Sequence, residues 1–407
     1  WRIQGNKPDV GGQKDPFKFL TNTWSLPEST RILTTSGGEE AFIFGGGYDT
    51  NLDNGFGTTP TAGNNNKGNM IFIVNPETGN LIFSIGGDNT NATLKVPQMK
   101  YSFAAAPELL DTNGDGLTNR IYIADTGGQI WRVDFNGDIN HDGGAASAGS
   151  TVIGLLAQLS TEGTPADERR FFETPEVAAV LDTRFTAANK QKYFLVAIGS
   201  GDRAHPLIEI VDDQFYGLRD FEIGNMVGGN GAEHIARNYP KNVSGVTSPI
   251  IQDDLIDVSN AILSDNDTVT DASFGWFIDF TETGHPGEKV LTSPIIVAGN
   301  VFITTYEPDV TNNTDLCAAN LGGGRLLGLN VLTTGGFNTP DVDGREISDQ
   351  LRGLSSAVIP FYAADGIYGL IGVEGGLLQN IDTDDNSGSQ GFKLSDNPFG
   401  RTYWSEK

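Results

Sequence analysis

The chain reads as many short apolar segments cut by Gly, Asn and Asp. Segments such as AFIFG, NMIFIV, RIYIAD, KYFLVAIG and NVFITTY are rich in Val, Ile, Phe and Tyr and stop after a few residues. That is the pattern of half-buried strands. Explicit turn signals lie between them: PETGN, DTGGQ, GSGDR and NVLTTGG. A loose unit recurs: a short piece with Ser or Thr and Pro, a β-branched or aromatic strand, a Gly turn, and a second strand ending in a polar turn. Six partial copies occur, at a spacing of roughly forty to seventy residues, which suggests blades of a β-propeller. A pair of β-sandwiches explains the recurrence less well. Helix is expected only in short pieces, at Asn230–Arg237 and Val152–Leu159.

Composition agrees with many tight turns. The 407 residues include 53 Gly and 18 Pro, and only 38% are hydrophobic. No apolar run approaches the ~20 residues that a membrane-spanning helix needs. The chain starts at Trp1 rather than Met, as expected of a mature form or an excised piece. Lys and Arg total 26 against 52 Asp and Glu, a net charge of −26. That field disfavours nucleic acid and anionic lipid and favours cations. A single cysteine, Cys317, excludes an intrachain disulfide and a Cys-rich zinc site. The four histidines (His141, His205, His234 and His285) form no HxxxH or HxH pair, which argues against a transition-metal enzyme.

The strongest chemical signal is DTNGDGLTN, Asp111 to Asn119. Asp111, Asn113, Asp115, the Leu117 carbonyl and Asn119 fall at positions 1, 3, 5, 7 and 9, with Gly116 at 6. This matches the front of a calcium loop, D-x-[DN]-x-[DN]-G, in which Gly permits the bend and alternation gathers oxygens on one side. Position 12 is Tyr122 rather than a bidentate Glu, and the flanks PELL and RIYIAD read as strands, so this is no helix–loop–helix hand. The plain alternative is an Asx-rich turn. An all-oxygen set that includes a carbonyl favours Ca²⁺ over Mg²⁺. Asp138, Asn140, Asp142 and Gly143 repeat the front half without later side-chain ligands. Asp382, Asp384 and Asn386 repeat the alternation without the Gly.

The stretch LLDTNGDGLTNRIYIADTGGQIWRVD resembles the C-terminal domain of the PilY/PilC family, type IV pilus tip-associated adhesins and biogenesis factors. TWSLP with FIFGGGYDT, VAIGSGDRAHPL, DQFYGLRD, GWFIDF, GEKVLTSPIIVAGNVFITTYEPD, a Cys followed by GGGRLLGLNVLTTGG, and the terminal RTYWSEK agree in the same order. The resemblance implies an all-β, modified β-propeller of about seven blades, some irregular, as a single domain over residues 1–407. It implies one calcium loop with ligands Asp111, Asn113, Asp115, the Leu117 carbonyl and Asn119. The family pattern usually has Asp at the last place, so Asn119 lowers the loop's charge by one. The resemblance further implies a non-catalytic protein at the cell surface or pilus tip. Its expected partners are minor pilins and the pilus tip complex, and a host or abiotic surface. Its expected roles are pilus assembly, attachment, twitching motility and calcium-dependent control of extension and retraction. A von Willebrand-type region is typical upstream in that family. No RGD is present.

The enzyme alternative is a quinoprotein dehydrogenase, whose blades close with A-x-D-x-x-x-G-x-x-x-W. ADTGGQIW (Ala124–Trp131) is one shortened echo, and the adjacent cysteine pair of many such enzymes is impossible with Cys317 alone. Trp131 reads more simply as a core aromatic that closes a blade. Asp202, Arg203 and His205 in SGDRAHP read as a local hydrogen-bond set rather than a hydrolytic cluster. The third class, an outer-membrane scaffold propeller, shares the fold without the calcium loop, so the loop discriminates.

Overall fold

Among the described residues, nine strands come first: β1 (Glu28–Thr34), β2 (Gly37–Gly45), β3 (Met70–Val74), β4 (Leu81–Gly86), β5 (Leu94–Lys95), β6 (Glu108–Leu110), β7 (Arg120–Ala124), β8 (Gln129–Phe135) and β9 (Thr151–Gln158). The computed structural model describes residues 3, 15–53, 67–137, 139, 151–185, 191–224, 237–238, 240–243, 246–263, 273–308, 322–363, 366–373, 376–377 and 392–395. The chain divides into two compact units. One comprises Trp1–Pro175 and Glu222–Gln252, the other Glu176–Phe221 and Asp253–Lys407.

In the first unit β1–β2–β3–β4 is an antiparallel meander extended by a short parallel pairing to β5. The next sheet runs β6–β7–β8–β9. The second unit begins with β10 (Glu176–Leu181), β11 (Lys192–Gly199) and β12 (Gln214–Asp220). The chain then returns to the first unit, where β13 (Arg237–Asn238) pairs in parallel with β9, and β14 (Pro240–Val243) and β15 (Val246–Pro249) form a hairpin. Back in the second unit, β16 (Ile256–Asp257) and β17 (Gly275–Asp279) complete the order β10–β11–β12–β17–β16. A further sheet holds β18 (Lys289–Val290), β19 (Ile295–Val297), β20 (Asn300–Tyr306), β21 (Gly323–Asn330) and β22 (Glu346–Arg352). Last come β23 (Ile359–Ala363), β24 (Gly366–Leu370), the short pair β25 (Gly372–Val373) and β26 (Gly376–Leu377), and β27 (Phe392–Ser395), which pairs with β24. Helix among the described residues is confined to 3₁₀ turns of three or four residues.

Each larger sheet is thus built mainly by running up and down through neighbouring strands, the plan of a blade. The all-β, modified-propeller class expected from the sequence is borne out. Burial explains why so many strands lack strict alternation. MIFIV of β3 and all seven residues of β8 are buried on both faces, so the inward–outward code of a one-sided sheet does not apply.

The short helix expected at Val152–Leu159 is instead strand β9, paired with β8 over Thr151–Gln158. An unbroken apolar run cannot be assigned by periodicity. Here β-branched Thr151, Val152 and Ile153 and burial at seven of eight positions suit a strand enclosed on both sides. Most of the other expected helix, Asn230–Arg237, lies outside the described residues, and its last residue opens β13. The core of the first unit gathers Ile43, Ile71, Phe83, Phe103, Ile123, Trp131 and Ile153. That of the second gathers Leu195, Phe215, Trp276, Ile303 and Leu329.

Candidate metal centre

The loop from Asp111 to Asn119 joins β6 to β7, which pair antiparallel from Glu108↔Tyr122 to Leu110↔Arg120. One carboxylate organises it. Asp111 Oδ1 accepts from the backbone N–H groups of Asn113 (3.3 Å), Gly114 (2.7 Å) and Asp115 (3.3 Å), and Oδ2 accepts from that of Gly116 (2.7 Å). Asp115 Oδ1 accepts from the Leu117 N–H at 2.9 Å, and Asp115 Oδ2 accepts from Asn113 Nδ2 at 3.0 Å. The curl needs left-handed backbone twice, and glycine stands at both places, Gly114 (φ 76°) and Gly116 (φ 82°). Residues 113 to 116 are exposed.

The exit of the loop is anchored. Thr118 N–H donates to the Arg31 carbonyl of β1 at 2.7 Å, and the Thr118 and Thr30 hydroxyls lie 2.6 Å apart. Asn119 is buried at the neck. Its Oδ1 accepts from both the backbone N–H and the hydroxyl of Thr112, each at 2.9 Å. The structure therefore brings Asp111, Asn113 and Asp115 together on the exposed curl and engages Asn119 in closing its base. Beside the curl, β1, β6 and the loop enclose an open groove of ≈ 360 Å³, lined by Glu28, Thr30, Glu108, Asp111, Leu117 and Thr118 among others. Burial raises the Glu28 carboxyl above the ordinary glutamate range. Among the described residues no three His, Cys, Asp or Glu side chains converge. A cation here would thus depend on two carboxylates completed by amide and main-chain oxygens, a donor set suited to a hard ion.

Immediately downstream, the β7–β8 hairpin uses the same residue types for bracing. Asp125 is fully buried. Its Oδ1 accepts from Gly127 N–H (2.9 Å) and Gln129 N–H (3.1 Å), and its Oδ2 from the Trp131 indole (2.9 Å). Burial outweighs these three donors and pushes the carboxyl up to about 7. ADTGGQIW is thus a turn locked onto its own core tryptophan, as the sequence suggested for Trp131. One group escaped the sequence reading. Arg120 and Arg132, both fully buried, share Asp134, with Arg120 Nε 2.8 Å from its Oδ1. Their remaining N–H groups donate to backbone carbonyls: Arg132 to Glu222 and both arginines to Gly224, each at 2.7 Å. The available signal was charge at every second position within apolar strands, as in WRVDF.

The SGDRAHP cluster is local at Asp202, as expected, but Arg203 reaches a carbonyl 88 positions away. Asp202 Oδ1 accepts from Ala204 N–H (3.0 Å) and His205 N–H (3.2 Å), and Arg203 donates to the Leu291 carbonyl (3.2 Å). Asp138, Asn140, Asp142 and Gly143, the triplet Asp382, Asp384 and Asn386, Cys317, His141, His234 and the terminal RTYWSEK lie outside the described residues.

Sheets of this plan with an acidic oxygen loop on a β-hairpin define a propeller-type protein carrying a candidate cation site. No family model matches the chain. It is 25% identical over 320 residues to a type IV pilus biogenesis factor PilY1 homolog from Xylella fastidiosa, covering 73% of this chain and 18% of that protein. The chain thus spans under a fifth of the length of the curated relative it matches. Among solved structures it is similar to the Pseudomonas aeruginosa PilY1 C-terminal domain, with a TM-score of 0.49 at 17% identity over 86% of this chain and 71% of that one. It is also similar to quinohemoprotein alcohol dehydrogenase from Comamonas testosteroni, with a TM-score of 0.32 at 12% identity over 88% of this chain and 42% of that one. At those scores neither structural match bears on function. The sequence match bears out the resemblance to the PilY/PilC family read from the motifs.

Proposed function

We propose that this chain is the calcium-binding propeller of a type IV pilus tip-associated protein. In this reading it is non-enzymatic and acts in pilus biogenesis, surface adhesion and Ca²⁺-dependent control of extension and retraction. It would work outside the cell, at the surface or pilus tip, with minor pilins of the tip complex and a host or abiotic surface as partners. The carrying observation is a preformed oxygen loop on a chain related to a pilus biogenesis factor.

Asp111, Asn113, Asp115 and the Leu117 carbonyl form the core ligand set. Asn113 would turn its amide oxygen inward and release the Nδ2 contact with Asp115. Both lone pairs of Asn119 Oδ1 are engaged by Thr112, so Asn119 would join as fifth ligand by exchanging one of those contacts for the cation. Ca²⁺ would relieve the repulsion between the two carboxylates and stiffen the curl. With only two charges, affinity belongs at the weak, extracellular end, a Kd of about 10⁻⁴–10⁻³ M.

Calorimetric Ca²⁺ titration of the chain and of Asp115→Ala tests this. Saturable binding that disappears in the variant supports the site, and absence of binding at millimolar Ca²⁺ overturns it. The pilus role is tested separately, by placing Asp115→Ala in the full-length protein of a piliated cell. Twitching motility should then lose its response to Ca²⁺.

A further inference from the structure

β1 is an edge strand of its sheet, and its outward side is covered only in part. Main-chain groups of an antiparallel strand point alternately to its two sides. Away from β2, the Arg31 carbonyl accepts from Thr118 N–H at 2.7 Å and the Leu33 carbonyl from Ile139 N–H at 2.9 Å. Ser29, two residues before Arg31, turns its N–H and C=O to that same side. It is exposed and lines the ≈ 360 Å³ groove between β1 and β6. Among the described residues nothing bonds to its main chain. Such an open stretch of edge is a template for an added strand.

Two features define the strand that fits. The Glu28 carboxylate is half-buried in the groove, and among the described residues no hydrogen bond or ion pair reaches it. Glu108 and Asp111 line the same groove, and the chain carries a net charge of −26. Just upstream, Ser25 is pinned to β2 by Gly45 N–H, which donates to its Oγ at 2.8 Å. Its neighbours Trp24 and Leu26 face solvent, 44% and 69% exposed. The indole is backed by Tyr48, stacked at 5.2 Å, and by Phe172 at 5.4 Å. A tryptophan already ordered before binding is suited to anchor an interface.

We propose that the open edge of β1 is a docking site for an extended segment of a partner protein, which presents a lysine or arginine to Glu28 and an apolar side chain to Trp24 and Leu26. The segment bonds through its own main chain to the Ser29 N–H and C=O, continuing the edge that Thr118 and Ile139 already cover. The need for a backbone donor and acceptor selects peptide, and the unpaired carboxylate selects against an acidic one. The surface does not depend on the neighbouring loop holding a cation.

The test is NMR titration of the ¹⁵N-labelled chain with a blocked hexapeptide in which threonine and leucine alternate around one central lysine, beside its glutamate counterpart. It is run in EDTA, so that failure of the Ca²⁺ site leaves the result intact. The Ser29 amide and the Trp24 indole should shift to saturation with the lysine peptide, and the glutamate peptide should bind about tenfold more weakly. Glu28→Gln should weaken the lysine peptide about fivefold and narrow the gap between the two. Ser29→Pro removes the outward N–H while keeping the bonds to β2, since proline is accepted on strand edges. It should weaken binding about tenfold with melting little changed. Should that variant fail to fold, the two peptides on the parent and on Glu28→Gln decide by themselves. No saturable shift at millimolar peptide, equal affinity for the two peptides, or undiminished binding by Ser29→Pro would each overturn the proposal. So would self-association of the chain that is lost in Ser29→Pro while the peptide stays unbound, which would give the edge to a second copy.

Discussion

Two aspartates stand fourteen positions apart on either side of β7, and each accepts backbone N–H groups across a glycine turn. Asp111 gathers four such donors on an exposed curl, where water and ions also reach the oxygens. Asp125 gathers two, adds the indole of Trp131, and is sealed from solvent. The local chemistry is nearly the same and the outcomes diverge. On the exposed curl, the carboxylate organises a candidate ligand set. Buried, it is driven towards the protonated acid and becomes a brace. Solvent access, rather than residue type, separates a site from a strut.

That contrast can be broken most severely at the buried end. Asp134→Ala would leave two buried guanidinium groups without their shared carboxylate, and urea denaturation should show a loss of about 3–5 kcal/mol. Asp125→Ala strips the acceptor from the Trp131 indole and two amides, so the same assay should show a loss of about 3 kcal/mol. Asp125→Asn removes the titrating group, while setting an amide N–H₂ where one oxygen now accepts from the Trp131 indole. The folded carboxyl lies near 7, above the about 3.9 of an unfolded aspartate. Between those values the folded state holds a proton that the unfolded state has released. The stability tied to that proton is full below about pH 4 and lost as pH rises towards 7. Melting the two proteins in parallel should therefore show the difference moving in favour of Asn as pH rises from about 5 to about 8. An invariant difference would mean that Asp125 does not titrate there.

At the exposed end the expected effects are smaller on stability and fall on binding. Asn119→Ala removes the acceptor at the neck and should cost about 1–2 kcal/mol. Asn119→Asp keeps an oxygen for Thr112 and offers a second to the cation, so calorimetry should find Ca²⁺ affinity raised about tenfold with melting unchanged. Asp115→Ala should leave melting unchanged while abolishing Ca²⁺ binding. If instead it lowered the melting temperature as Asp125→Ala does, the proposed division between site and strut would fail.

Much of this was legible in the residues. The recurrence of apolar strands with Gly turns pointed to blades, and the alternation Asp111, Asn113, Asp115 with Gly116 marked the curl that the structure contains. The misjudged segment, Val152–Leu159, is a run without periodicity, for which strand and buried helix look alike until a partner strand is present. The Arg120–Arg132–Asp134 group was missed because it pairs residues on adjacent strands and is completed by carbonyls at Glu222 and Gly224, about a hundred positions away.

By itself, then, the sequence determined the class of fold, the chemistry of the loop and its relation to pilus biogenesis factors. These depend on local patterns: periodicity, turn chemistry and short-range spacing of oxygens. Tertiary structure decided which carboxylate is exposed and which is buried, that Asn119 closes the neck through Thr112, and that two arginines share one aspartate. Those outcomes depend on desolvation and on distant backbone groups, and neither is written in the spacing of residues along the chain.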